Sequence, residues 1–446
     1  MRLVVVGFIV SLILFAQAPS QEEQQCLFSV LPLIDHGELA RAQQQLIAGI
    51  ERFPRSAILF NALGVVYRRE GKLEEAAEEF RKAIQILPQF TAALLQLASL
   101  DQQSGEKKEA AELFGAAGES TTNFDALMAA GLGLADCEDY PNAARVLAKA
   151  LSIHPDSAAA AYNLALAQYK AGDLASALNT AGSIKSEPGA DVLYLRGKIK
   201  QAMGRADGRE DLAGACRLNP GNENFCTDAA LAEIRQERFL EALDLLQPAL
   251  KKTSGSDALL PLAALSEFRL GRYQEAIQTY RQALGKNSTL DASREGLGFL
   301  YYVTGDLEQA RSVVEEGLKN PKADFYLAYL NAIILYRLSP QLRAQTRQAI
   351  ERAIAANPSF APSYFLRGKI EMESKETSAA LADFEHAVAL APHYPLPYYK
   401  MAQIYARQGR TREAETAQRK FMELGSRREE EVLARQTEDV LMPAQR

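Results

Sequence analysis

Residues 57–90 read AILFNALGVVYRREGKLEEAAEEFRKAIQILPQF. Phe60, Leu63, Gly64 and Tyr67 stand at i, i+3, i+4 and i+7, one apolar stripe of a helix. Gly71 then offers the left-handed conformation that ends a helix. Ala76, Phe80 and Ala83 stand at i, i+4 and i+7 of a second helix. Pro88 closes the stretch, because proline cannot continue a helix. The spacing predicts two antiparallel helices that cross at Gly64 and Ala76, where the backbones can approach closely. Phe80 is the large side chain that fills the space beside the crossing.

Working outward, the alanine recurs at Ala42, Ala76, Ala110, Ala143, Ala177, Ala242, Ala276, Ala310, Ala380 and Ala414. Successive gaps are 34, 34, 33, 34, 65, 34, 34, 70 and 34 residues. A period near 34 is the length of one helix–turn–helix repeat. The two wide gaps mark units near 189–222 and 324–360 that lack the alanine. There the register places Arg209 and Arg347 in its slot. A charge at a close helix crossing is costly unless the helix shifts or the side chain snorkels, so a local change of packing is expected at both; the alternative is drift of the repeat without consequence. Lys185-Ser186-Glu187-Pro188-Gly189 reads as a hinge beside the first.

The recurrence resembles the tetratricopeptide repeat, with its Leu-Gly, Tyr, Ala, Phe, Ala and Pro at fixed offsets. Residues 91–124 carry Leu97, Ala98, Gly105, Ala110, Phe114 and Ala117; residues 361–394 carry Tyr364, Gly368, Ala380, Phe384, Ala387 and Pro392. Residues 395–428 carry Tyr398, Ala402, Tyr405, Gly409, Ala414 and Phe421. The resemblance implies an all-α fold, an α-solenoid (superhelix) of about twelve units over residues 23–428. Residues 429–446, charged with sparse apolar positions, are expected to form a capping helix and tail, since terminal repeats need a polar outer cover.

The resemblance also implies that first helices line a concave groove with positions 2, 5, 9 and 12 of each unit. Those positions give Leu95, Met128, Leu132, Tyr162, Tyr169, Tyr194, Leu231, Ile234, Leu265, Phe268, Phe299, Tyr302, Phe365, Met372 and Tyr399. Charged groove positions are Arg68, Asp125, Asp191, Lys198, Glu295 and Lys369. Tyr162, Tyr169, Tyr194, Leu265, Phe268, Phe299, Tyr302, Phe365 and Tyr399 are the candidate anchors for a partner. The run from Leu265 to Tyr302 is the leading surface, since large exposed apolar patches mark binding sites. Asn163 stands at a position of the family's carboxylate clamp, but adjacent units lack the companion basic residues. A chaperone-tail adaptor is therefore not expected.

Met1-Arg2, the apolar run LVVVGFIVSLILFA and the small residues of QAPSQ read as a secretory signal peptide over residues 1–20. Cleavage after Ser20 is preferred to cleavage after Ala18, which would place Pro19 behind the scissile bond. The run is shorter than the about 20 residues a membrane span needs, so no span is expected once it is removed. Export, periplasmic or extracellular, would put the four cysteines in an oxidising compartment. Cys216 and Cys226, ten residues apart across a turn, are the candidate disulfide; the alternative is two buried thiols. Cys26 and Cys137 lie in distant units and are not expected to pair.

The 446 residues are 48% hydrophobic and 24% charged with a net charge of −6, which fits a globular chain and argues against a phosphate-binding basic stripe. No nucleic-acid partner is expected. His36, His154, His386 and His393 stand in no metal-ligand spacing, and no nucleophile elbow or phosphate loop appears. No catalytic residue, metal or cofactor is expected, and the chain does not read as an enzyme. The reading that remains is a protein-interaction scaffold that takes a peptide or helix in its groove. The alternative is an accessory module for carbohydrate handling or exopolysaccharide secretion, since aromatic faces suit sugar rings.

Overall fold

The computed structural model describes residues 20–184, 188–320 and 323–425. The expected leader up to residue 19, the Lys185-Ser186-Glu187 part of the expected hinge, and the expected cap at 429–446 lie outside the described residues. Twenty-four helices and one short 3-10 turn carry the described residues, with no strand among them. The chain forms two compact units, residues 1–215 and 216–446.

Each unit is an α-solenoid of six helical hairpins. The first pairs Gln21–Asp35 with Leu39–Arg52, Ala57–Arg69 with Leu73–Ile86, and Thr91–Gln103 with Lys107–Glu119. It continues with Phe124–Asp136 and Tyr140–Ile153, Ala158–Lys170 and Leu174–Gly182, then Ala190–Ala202 and Gly208–Leu218. The second pairs Glu223–Ile234 with Phe239–Lys252, Leu259–Arg269 with Tyr273–Lys286, and Asp291–Thr304 with Leu307–Leu318. Its last three hairpins are Phe325–Leu338 with Arg343–Ala356, Ala361–Glu373 with Thr377–Leu390, and Pro395–Arg407 with Thr411–Leu424.

The hairpins form for the reasons the spacing gives. Gly71 turns the chain with φ 80°, a conformation that costs a side-chain-bearing residue. Asp139, Asp173 and Asp306 open second helices by accepting a hydrogen bond from the backbone N–H three residues on. At the crossing, a Cβ on Gly64 would lie 2.6 Å from Phe80 Cε1, and one on Gly368 equally close to Phe384. Ala42, Ala76, Ala110, Ala143, Ala177, Ala242, Ala276, Ala310 and Ala380 have no exposed surface. Ala414, in the last hairpin, is half-buried.

The two missed beats resolve differently from the expectation. The slot belongs to Gly208 and Thr346, each one residue before the arginine. A Cβ on Gly208 would lie 2.9 Å from the Gly197 carbonyl oxygen. Leu212 and Ala215 then follow at i+4 and i+7, both buried. Thr346, with no exposed surface, is followed in the same way by Ile350 and Ala353. Its hydroxyl, which would otherwise be an unpaired polar group, donates to the Leu342 carbonyl at 2.9 Å. Arg209 lies beside Glu210 and Arg347 beside Glu376, at 3.6 and 3.2 Å, so neither charge enters a crossing. A nine-residue second helix, Leu174–Gly182, shortens one interval, and the 3-10 turn Pro340–Leu342 lengthens the other.

Two of the hairpins carry an internal ion pair that the period does not announce. Arg196 grips Asp211 with two hydrogen bonds, and Arg367 grips Asp383 at 2.6 and 2.7 Å. Both aspartates are buried, and the forked guanidinium satisfies both carboxylate oxygens. A disulfide joins Cys216, on the helix Gly208–Leu218, to Cys226, on Glu223–Ile234, with Cα atoms 4.7 Å apart. Cys26 and Cys137 are free. Closing so short a loop is worth about 2–3 kcal/mol in the chain-entropy model. The Cys216→Ser, Cys226→Ser variant is expected to unfold at correspondingly lower urea than the oxidised protein. Equal midpoints for the two, in the absence of reductant, would show that the bridge adds no stability.

Candidate binding groove

The first helices of the hairpins carry the candidate anchors, and the two units treat them differently. In the second unit, Leu265, Phe299, Tyr302 and Phe365 are 3%, 1%, 8% and 4% exposed. These four are interior, which corrects the expectation that they face a partner. Successive first helices use them to pack on one another. Phe299 meets the edge of Phe268 at 5.8 Å and stacks on Tyr302 at 6.3 Å. Arg337, from the next first helix, covers Tyr302 at 5.1 Å and donates to its carbonyl. Phe365 lies against Phe384 and Tyr394. Leu95, Leu231 and Ile234 are buried as well. Phe268 is half-buried and Tyr399 is 38% exposed.

In the first unit Leu95 is buried, but the groove positions from Met128 to Tyr194 are more open. Tyr162, Tyr169 and Tyr194 are half-buried, as is Met128, and Leu132 is 40% exposed. Ala160, Ala161, Ala165 and Ala167 surround the tyrosines on Ala158–Lys170. These small side chains leave the aromatic rings partly uncovered. Tyr162 and Tyr169 rest on a cluster that includes Leu195 and Ile199 of the following first helix. Asp191, exposed on that helix, lies close enough to Tyr162 to act on it: burial and then this carboxylate push the phenol up from its ordinary value. The Lys198 ammonium sits 6.0 Å from the Tyr194 ring. Leu132, Tyr162, Tyr169 and Tyr194, with Asp191 and Lys198, are partly exposed aromatic and charged positions on the first helices of this unit.

Several polar groove positions are already engaged. Arg68 donates to the Gln96 side chain and to Ser99, joining two first helices, and burial lowers its pKa. Asn163 donates to the Ala159 carbonyl of its own helix at 2.9 Å. Glu295 is 4% exposed and therefore belongs to the interior. Lys369 lies over the Tyr336 ring at 4.6 Å and the Phe365 ring at 5.6 Å. The aromatic set of Phe325–Leu338 was missed because the lengthened unit hides its register. Tyr326 and Tyr329 are buried there, while Tyr336, under Arg343 and Lys369, bonds Glu373. The dense tyrosines of FYLAYLNAIILY were the signal available.

Among the described residues no group of three histidine, cysteine, aspartate or glutamate side chains converges to hold a metal ion. No described helix is long and apolar enough to cross a membrane.

Three tetratricopeptide repeat models match the chain. One matches residues 33–89 and 227–292, a second 67–134, 134–199 and 267–333, and a third 361–394 and 397–424. Together they span most of its length. The chain belongs to the tetratricopeptide repeat family. Comparison with curated proteins gives no match. Among solved structures, this tetratricopeptide repeat chain is similar to one of Naa15/Naa10 bound to HypK-THB. Identity is 16%, over 92% of this chain and 69% of that one, with a TM-score of 0.46. It is also similar to the Cut9–Hcn1 hetero-tetramer of APC/C, at 12% identity over 95% and 97% and a TM-score of 0.45. YrrB, titled a TPR protein with an unusual peptide-binding site, matches 44% of this chain over 100% of its own, at 17% identity and a TM-score of 0.33.

Proposed function

We propose that this protein is a non-catalytic scaffold of the cell envelope or exterior that captures a peptide or helical segment of a partner protein. Tetratricopeptide repeat scaffolds are protein-interaction modules, and one observation supports a place for the contact here. The first-helix face of the N-terminal unit leaves Leu132, Tyr162, Tyr169 and Tyr194 partly uncovered, between the charges of Asp191 and Lys198. Tyrosines of this kind are typical interface anchors, offering large contact area at low entropy cost. The two charges would fix the direction of a bound segment.

The export reading rests on the leader-like sequence and is supported by the Cys216–Cys226 bridge, since disulfides persist in oxidising compartments. Ser20 caps the first helix: its side chain accepts from the Glu23 N–H at 3.2 Å, and Glu23 accepts from the Ser20 N–H at 2.7 Å. Cleavage after Ser20 would remove that cap at a cost of about 1 kcal/mol, which cleavage after Ala18 would spare. N-terminal sequencing of the exported protein is expected to give Gln21 or Pro19 first; Met1 would remove the cleaved-leader reading.

The Tyr162→Ala, Tyr194→Ala variant tests the site. Loss of two anchors is expected to weaken partner capture from an envelope extract by roughly tenfold or more. Helicity should stay unchanged. Capture equal to that of the unaltered protein would move the site elsewhere.

A further inference from the structure

Arg68, in the last turn of Ala57–Arg69, is a half-buried cation held only by neutral partners. Its Nη1 and Nη2 donate to Gln96 and Ser99 of the next first helix. Among the described residues no carboxylate acts on its charge, and burial alone moves its pKa, downward. Arginines on two other first helices are treated otherwise. Arg196 and Arg367 each fork onto a buried aspartate of their own hairpin. Acids are not scarce in the chain, with 56 Asp and Glu against 50 Lys and Arg. Drawing a guanidinium partly out of water without a counter-ion costs stability. The bonds to Gln96 and Ser99 fix the fork in place and still leave N–H donors on it unused.

We propose that Arg68 receives a carboxylate of the captured partner, whose segment is therefore acidic at one end and apolar along the rest. This rests on the reading of Tyr162, Tyr169 and Tyr194 as the apolar anchors. Arg68 lies in the second hairpin and Tyr162 in the fifth. Neighbouring helices pack about 8–10 Å apart, so three steps separate the two by about 24–30 Å. An extended segment covers that distance in about eight residues. An aspartate or glutamate so placed would form a charge-assisted, forked pair with the guanidinium. The pair does not use the clamp position at Asn163, whose amide is bonded within its own helix.

A phage-displayed library of random peptides of about 16 residues, selected on the full chain, is the probe. Selected peptides are expected to carry Asp or Glu at roughly three times library frequency or more, about eight residues from an aromatic or aliphatic cluster. On Arg68→Gln the acidic enrichment should vanish while the apolar enrichment stays. Gln96→Ala removes a neutral bond and keeps the charge, so it should keep both enrichments. Circular dichroism should match across the three proteins. Acids at library frequency on the unaltered chain, or no selected peptide at all, would overturn the proposal. So would acidic enrichment that survives Arg68→Gln, or one that Gln96→Ala removes as well. The Tyr162→Ala, Tyr194→Ala variant separates the two readings. If it selects the same peptides as the unaltered chain, the anchors lie elsewhere, whereas missing acids alone strike only the role of Arg68.

Discussion

Replacing Ala310 with glutamate is expected to cost more than about 4 kcal/mol and to unfold the hairpin Asp291–Leu318 together with its neighbours. Ala310 has no exposed surface and belongs to the cluster built on Tyr280, Leu297, Val314 and Leu327. The crossing it serves has no slack. A Cβ on Gly298 would lie 2.7 Å from Val314 Cγ2, and one on Gly296 would lie 2.3 Å from Tyr280 Cζ. A glutamate there must either force the helices apart or bury a carboxylate without a partner. Each hairpin of a solenoid is stabilised by its neighbours. Amide exchange should therefore lose protection first across 259–356, while hairpins near the start of the chain keep theirs. Ala310→Gly, which changes helix propensity but adds no volume, should cost only about 1 kcal/mol. A melting curve for Ala310→Glu that matches the unaltered protein would mean that the alanine register is wrong.

The same alanine shows how much of the fold could be read from the chain. Spacing fixes which residues of a helix face its hairpin partner, because one small residue per crossing is a local geometric requirement. The nine internal alanines satisfy it without exception. Spacing does not fix how tightly one first helix lies against the next, because that depends on side chains one repeat away. Phe299 and Tyr302 hold groove positions by register, yet Phe268 and Arg337 from the flanking first helices close over them. Tyr162 and Tyr169 hold equivalent positions among alanines and remain half-open. A fixed period points to Arg209, one residue past the slot, because the nine-residue helix Leu174–Gly182 shortens the interval before it. Gly208 beside it was the small residue to look for. The Arg196–Asp211 and Arg367–Asp383 pairs span 15 and 16 residues, a separation that no helical periodicity marks.

Stability is expected to fall as pH rises from 6 to 9, and Glu295→Gln is expected to remove most of that slope. Glu295 is buried in Asp291–Thr304, and its Oε1 has no hydrogen-bond partner. Burial first, then Asp324 of the next hairpin and Asp291 of its own helix, push the carboxyl up to about 8. Tyr280, on the preceding second helix, also feels the Glu295 charge and offers no compensating cation. Glu371 acts in the same direction. Burial and then Asp383 push it up to about 7, with Arg367 and Arg347 opposing only in part. For Glu295 the folded value lies above the ordinary 4.5 of an unfolded chain, so the native state holds the proton more tightly. That contribution is complete below about pH 4.5 and is lost as pH rises through 8. Across pH 5 to 9 the loss is on the order of 4 kcal/mol. Glutamine keeps the shape and cannot ionise, so Glu295→Gln should melt higher than the unaltered protein at pH 9 and close to it at pH 5. Parallel melting-temperature curves for the two proteins over that range would show that Glu295 does not titrate inside the fold.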